Sequence, residues 1–393
     1  MHSVFDYKEN CCGCTACVSV CPVSAITMEY DECGFSYPHI DETICTNCGL
    51  CRRTCTFPKQ NKFGLFKESY VAKHKSKQVV DASRSGGFFT ALSDIILSSG
   101  GVVYGAILDD TLYVRHVRAE NAEERNALRK SKYVQSDLMG LFAQVQKDLL
   151  AGKMVLFTGT GCQCGGLLSF LDTKCIPTDN LLMCDIVCHS NASPKLFERY
   201  LAYQEERFGS HIIEYYFRDK DKYSWGSHVE KIVFESGKIF YTDEYTNFFY
   251  TDDIRPSCFK CRYASLHRCG DITIADCWGG EKIYPDLVND KGASLVLVNT
   301  DKGKQYFNKI DNMFIREVKI ETVMQPRLKE SEQKSATYDM FWEDYKNLQF
   351  VQFMKRYGYN NYAWNRILLS RVKYVAKLPV KVVKKMLRGI RNG

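Results

Sequence analysis

The sequence predicts a mixed α/β protein: a small cysteine-rich module joined to a larger α/β body, with a mainly helical, basic C-terminal tail. Three observations predict it. Two cysteine runs of identical spacing lie between Cys11 and Cys55. From Ser69 to Thr300, strand-like apolar runs alternate with glycine-bearing loops and helix-period segments. From Tyr345 to Gly393 there are 12 Lys and Arg and no Asp or Glu.

The chain of 393 residues is long enough for two or three domains. Its 45% hydrophobic and 25% charged content is that of a soluble globular protein. No apolar run reaches the ~18–20 residues of a membrane span. The opening MHSVFDYKEN lacks the apolar core of a signal peptide, so the expected location is the cytoplasm. Thiols stay reduced there, and the 19 cysteines point to metal binding or catalysis instead of disulfides. The net charge of +7 belongs to the tail, because the rest of the chain carries 41 basic against 46 acidic residues.

The first run is Cys11-x2-Cys14-x2-Cys17-x3-Cys21-Pro22, and the second is Cys45-x2-Cys48-x2-Cys51-x3-Cys55. This is the spacing of bacterial two-cluster ferredoxins, in which three cysteines of a run hold one [4Fe–4S] cluster and the fourth crosses to the other. The expected sets are Cys11, Cys14, Cys17 and Cys55, and Cys45, Cys48, Cys51 and Cys21. Zinc sites use two separated pairs and need no fourth cysteine at this offset. Thr56 stands where a second proline is expected, with Pro58 two residues on. Cys12 and Cys33 fall outside the spacing and are expected to be bystanders.

In the body, VVYGAIL (102–108), MVLF (154–157), LLMCDIVC (181–188), DITIAD (271–276) and SLVLVNT (294–300) read as strands. The segment 127–152 contains a helix-period pattern with Leu138, Leu141, Phe142 and Val145 on one face. Ser193-Pro194 is a helix start, with serine as N-cap and proline at the first helical position. HIIEYYF, HVEKIVFES and KIFYTDEY follow, with Ser236-Gly237 as a hairpin turn. Such strand–loop–helix units imply an α/β body with antiparallel additions. Ser85-Gly86-Gly87 opens an apolar helical run, read either as an anion-binding helix start or as a plain serine cap. Gly159 to Gly166 allows the same two readings. Neither G-x-G-x-x-G nor a P-loop is present, so a Rossmann NAD(P) site is not expected. No nucleic-acid module accompanies the basic tail, and no nucleic-acid partner is expected.

Five stretches, in this order, resemble the beta-subunit family of coenzyme F420 hydrogenases and dehydrogenases, to which 7-hydroxymethyl chlorophyll a reductase is related. They are RSGGFFTALSDIILSSGGVVYGA (84–106), SKYVQS (131–136), VLFTGTGCQCGGLLSFL (155–171), DIVCHSNASPKLFERYL (185–201) and CFKCRYASLHRCGDITIADCWG (258–279). The resemblance divides the chain into a two-cluster ferredoxin domain (1–62), the family's N-terminal α/β region (68–152), its C-terminal region (153–320) and the tail (321–393).

It implies a flavin, FAD or FMN, and a third [4Fe–4S] cluster held by Cys162, Cys188, Cys258 and Cys261. On residues alone, a single CxxC and buried free cysteines are weak signals, and Cys164, Cys175, Cys184, Cys269 and Cys277 are the substitutes. Gly161 replaces the family's proline and is expected to loosen that loop. The implied flavin-binding residues are Ser85, Gly86, Gly87, Lys132, Tyr133, Gln135, Ser136, Gly159, Thr160 and Asp276. Trp278 reads equally as core or as cofactor-facing. His189, beside Cys188, is the one candidate for proton donation, with a structural histidine as the other reading.

The expected function is an iron–sulfur, flavin-dependent oxidoreductase. A ferredoxin-like donor feeds the clusters, and the flavin serves an unidentified substrate. The alternative is a non-catalytic electron-transfer subunit on a partner oxidoreductase, which would lack a pocket open to a small molecule. Relatives with a ferredoxin front and a basic tail resemble those tied to bacterial surface-polysaccharide synthesis. The tail reads as an interfacial segment on the inner face of the membrane or as a solvated basic end.

Overall fold

The computed structural model describes residues 3–57 and 63–358. The cysteine-rich front pairs two short helices, Ala16–Val20 and Leu50–Thr54, with the hairpin of β1 (Ile26–Tyr30) and β2 (Ser36–Ile40). The body continues with β3 (Glu68–His74), β4 (Val102–Leu108), β5 (Val114–Ala119), β6 (Val155–Thr160) and β7 (Leu181–Ile186). A small antiparallel sheet of β8 (Ile212–Tyr216), β9 (Glu230–Phe234) and β10 (Ile239–Thr242) follows. The last strands are β11 (Ile272–Asp276), β12 (Ser294–Val298) and β13 (Met313–Glu317).

The main sheet has eight strands in the order β13-β3-β12-β11-β7-β6-β4-β5. Its centre, β4, β6, β7 and β11, is parallel, and antiparallel strands flank it on both sides. Strands from both sides of residue 153 join this one sheet. Parallel strands are covered on both faces and so read as continuous apolar runs; β7 is buried from Leu181 to Asp185. Val155 and Phe157 of β6 face the helices Leu141–Leu150 and Gly161–Thr173, while Leu156 faces the helix Phe88–Ser98.

The front is packed onto this body. Ala16 and Val20 enter the same core as Phe142, Leu167 and Phe170. Burying a valine of this kind contributes roughly 1.5–3 kcal/mol. Ser169 Oγ donates to the Thr54 carbonyl at 2.6 Å, and the hydroxyls of Thr54 and Thr173 bond at 3.0 Å. On the far side, the helix Tyr338–Asn347 inserts Phe341 and Trp342 into an aromatic core with Phe35 and Phe248.

β4 spans the expected residues, Ser193 Oγ accepts from Leu196 N as an N-cap, and Gly237 turns the β9–β10 hairpin at φ +79°. The helix expected within 127–152 begins only at Leu141, after Gly140 at φ +75°. Residues 128–140 are irregular because Arg115 pairs with Asp137 at the edge of the sheet. Ser85 does not cap a helix: its hydroxyl goes to the Ala293 carbonyl, and the helix starts at Phe88. No helix among the described residues is long and apolar enough to cross a membrane. The basic segment expected at the membrane lies mostly outside the described residues.

Candidate redox site

In the front, Cys55 of the second run lies with the first three cysteines of the first run. Cys11, Cys14, Cys17 and Cys55 line one small cavity. Cys48 and Cys21 are neighbours of Cys51. Two left-handed residues per run bend the chain around these sulfurs: Gly13 and Thr15 in the first, Asn47 and Gly49 in the second, at φ +67°, +61°, +56° and +71°. Ala25 N donates to Cys21 Sγ at 3.3 Å. Pro22 is exposed, whereas Thr56, its counterpart, is buried with its carbonyl held by Arg262. The second run departs from the pattern where the body presses on it.

The body set comes from strand ends. Thr160, the last residue of β6, sits opposite Ile186, the last of β7. Cys162 and Cys188 each lie two residues beyond, so parallel register brings them side by side. The short turn Pro256–Lys260 carries Cys258 and leads to Cys261. All four line one small cavity. Asn191 serves them twice, donating from its backbone N to Cys258 Sγ at 3.4 Å and from Nδ2 to Cys162 Sγ at 3.8 Å. Four soft thiols with N–H donors around them match an iron–sulfur cluster.

The substitute cysteines lie elsewhere. Cys164 and Cys269 bond each other in the core, Cys184 lies inside β7, Cys277 is buried in a separate core, and Cys175 is exposed. Gly161 does not loosen its loop. It is the first residue of a helix, and Tyr263 closes on it so tightly that a Cβ there would stand 2.7 Å from Tyr263 Cβ.

A larger cavity opens at the carboxyl ends of β6, β7 and β11, where α/β sheets place their ligands. It offers about 240 Å³ to the centres of water-sized molecules, against the ~10–15 Å³ that one water needs. Of the implied flavin residues, Ser85, Gly87, Lys132, Tyr133, Ser136, Gly159, Thr160 and Asp276 line it. Gly86 is absent from the lining and packs against the Ala72 carbonyl and Ser294 N. Gln135 turns away, accepting from Arg255 Nη1 at 3.0 Å and donating to the Cys12 carbonyl at 3.1 Å. Trp278 lines the cavity while stacked on Trp225, ring centroids 4.0 Å apart, so it is both packed and ligand-facing. Arg84 pairs with Asp276 at 3.2 Å.

Ser136 is held by a chain of hydrogen bonds. Burial pushes His116 down to about 4, so the ring is neutral. Its Nε2 meets the Thr158 carbonyl at 3.0 Å and therefore carries the hydrogen, leaving Nδ1 to accept from the Ser136 hydroxyl at 2.7 Å. Gln163 Nε2 donates to Ser136 Oγ at 2.8 Å. With its hydrogen engaged, Ser136 can only accept from a ligand. Arg218 Nη1 is buried without a hydrogen-bond partner among the described residues, and its guanidinium lies 4.6 Å from the Tyr133 ring centroid. A ring with polar edges, such as a flavin, fits an aromatic and cationic cavity of this kind. Burial, then Lys130, pushes Lys132 down to about 7. Burial, then Arg218, pushes His189 down to about 4, so it is a neutral N–H donor at pH 7 and no imidazolium acid.

Three residues to which the sequence assigns no role join the sites. Cys12, expected to be a bystander, lies between Cys14 and Cys162, and those contacts together with burial raise it well above the ordinary thiol range. Arg255 is completely buried. Nothing in an isolated arginine three residues before a CxxC marks it as internal, and Arg218 sits in a polar run that reads as solvated loop.

These features define an iron–sulfur electron-transfer protein. Residues 10–58 match the model of the 4Fe-4S dicluster domain. Residues 152–323 match the model for the C terminus of the beta subunits of coenzyme F420 hydrogenases and dehydrogenases. No curated protein sequence matches the chain. Among solved structures, a chain of the xenon-derivatized F420-reducing [NiFe] hydrogenase complex from Methanosarcina barkeri is similar. Its identity is 17% and its TM-score 0.48, over 76% of this chain and 93% of that one.

Proposed function

We propose that the chain is an iron–sulfur flavoprotein oxidoreductase, taking electrons from a ferredoxin-like protein and delivering them to a small-molecule substrate. One observation carries the reading: Thr160, Ile186, Cys188, His189, Ser190 and Asn191 line both the four-cysteine cavity and the large cavity. A single wall separates them. When bound, the clusters supply one-electron carriers and the flavin supplies two-electron chemistry. The protein's own residues order the route. Cys48 is exposed and admits electrons, the Cys11 set lies inward, and Cys12 spans from it to Cys162. Tyr133, Ser136, Thr160 and Asp276 are placed to hold the flavin. His189 orients the ligand by its N–H.

An accessible cavity favours an enzyme over a subunit without a substrate. The tie to surface-polysaccharide synthesis, and contact of the tail with the membrane, rest on the resemblance and the tail's composition alone. Anaerobic purification with iron, sulfide and flavin counted per chain tests the reading. About twelve irons and one flavin are expected for three [4Fe–4S] clusters. About eight irons without flavin would overturn it.

A further inference from the structure

Arg255 is a fully buried cation between two cysteine sets. Its Nε donates to the Cys11 carbonyl at 2.8 Å, Nη1 to Gln135 Oε1 at 3.0 Å, and Nη2 to the Ser36 carbonyl at 3.0 Å. Nη2 also reaches Cys11 Sγ at 3.6 Å, and the guanidinium stacks 4.2 Å from the Tyr37 ring centroid. Its leading electrostatic neighbours are Cys11, the Tyr37 phenol, Cys12 and Cys258, and Cys162 feels it in turn. Cys11 belongs to the inner front set; Cys162 and Cys258 belong to the body set. An isolated buried cation is costly unless an anion compensates it. All the oxygen acceptors here are neutral carbonyls and an amide, so the compensating charge is that of the cysteine thiolates and what they hold.

We propose that Arg255 is the shared counter-charge of the two inner cysteine sets, raising the potential at which each accepts an electron. The inference rests on the reading that both sets hold clusters. Each transfer adds one electron, drawn from the external protein donor through the outer set, and makes the receiving set more negative by one charge. Arg255 stays protonated and no bond changes. Among the described residues no buried cation faces the outer set, Cys21, Cys45, Cys48 and Cys51; the cation that Cys48 feels is the exposed Arg53. Electrons entering there would run downhill toward the body.

The test is an EPR-monitored redox titration of the full chain, purified anaerobically, as wild type, Arg255→Met, Arg255→Lys and Gln135→Glu. An opposite charge within ~4–6 Å shifts an ionisation by one to three decades, and adding an electron is a comparable unit of charge. In Arg255→Met, at the wild-type midpoint, the reduced-to-oxidised ratio of the two inner centres should fall about tenfold, 59 mV for one electron. The outer centre should not move. Arg255→Lys keeps the charge without the planar fork and should recover part of the shift. If Arg255→Met loses iron, Gln135→Glu decides, since a carboxylate against the guanidinium neutralises it and shifts the inner centres the same way. Unmoved inner potentials with iron intact, or equal movement of all three centres, overturns the inference. A wild type with about eight irons overturns the function proposed above and leaves only the front pair to tune.

Discussion

The two halves of the front module share a spacing and a backbone but not an environment. From Cys11 to Cys17 every residue is at least half-buried, whereas residues 41–49 are exposed apart from Cys45. Both halves place left-handed residues at the same two positions of the motif, yet choose different ones. Gly13 matches Asn47, and Thr15 matches Gly49. At Gly13 a Cβ would stand 2.5 Å from Gln135 Nε2 and 3.2 Å from Arg255 Nη1. Asn47 is exposed, and asparagine tolerates the left-handed region. The motif dictates the turn; the body decides which residue can make it. One half meets solvent, and under the function proposed above also the donor; the other is sealed against the body, where that proposal places the relay.

The largest expected effect breaks the two halves apart. Cys48→Ser should stop reduction by a ferredoxin-like protein while the inner iron signals persist and dithionite still reduces them. Cys14→Ser should instead disconnect the body from both halves. Flavin reduction driven by the protein donor should slow at least about 100-fold in each, because an intermediate stop is removed. Stopped-flow bleaching of the flavin with protein donor and with dithionite separates them. Identical behaviour with both reductants would end the distinction between an entry half and a relay half.

An intermediate effect comes from exchanging the paired residues. Gly13→Asn pushes a side chain into a closed network and should cost about 1–3 kcal/mol. The reverse exchange, Asn47→Gly, should stay within about 1 kcal/mol, since glycine accepts the same φ at an open position. Thermal melts of the anaerobic proteins, with iron counted, read both. Equal losses would mean that burial does not separate the halves. A neighbouring close approach gives the same contrast: a Cβ at Gly166 would lie 2.7 Å from Cys14 Cβ, whereas one at Gly49 meets nothing within 4 Å.

What the sequence made legible follows the same divide. The eight front cysteines were readable because their geometry is local, set by turns of two or three residues. Continuous apolar runs revealed the central strands β6, β7 and β12 for the same reason. Cys162, Cys188, Cys258 and Cys261 converge only because β6 and β7 are parallel neighbours, a non-local fact that family resemblance supplied and spacing did not. Lys132 to Ser136 fall within the segment 127–152 whose pattern reads as helix, but the pairing of Arg115 with Asp137 turns that stretch into a cavity wall. Arg255 was invisible because burial of a charge is decided by what folds over it. The edge strands β5 and β13, and β3 beside β13, were passed over because polar residues interrupt their apolar runs.

The smallest effect concerns how the inner half is held as pH changes. Asp253, two residues before Arg255, is fully buried and accepts from Ser193 N at 2.7 Å. Burial pushes its carboxyl up to about 8, from an ordinary value of 3.8. The folded state therefore holds a proton that the unfolded chain has already released between these values. The stabilisation it gives is complete below pH ~4 and is lost as pH rises through about 8, at up to ~1.4 kcal/mol per pH unit for one proton. Asp253→Asn keeps an acceptor for Ser193 N and removes the titration, so its melting temperature should fall less than that of wild type between pH 6 and 9. Glu230, also pushed up to about 8 by burial, titrates in the same window and remains in both proteins, which leaves a common slope. Parallel melting curves for the two proteins across that range would show that Asp253 does not couple the inner half to pH.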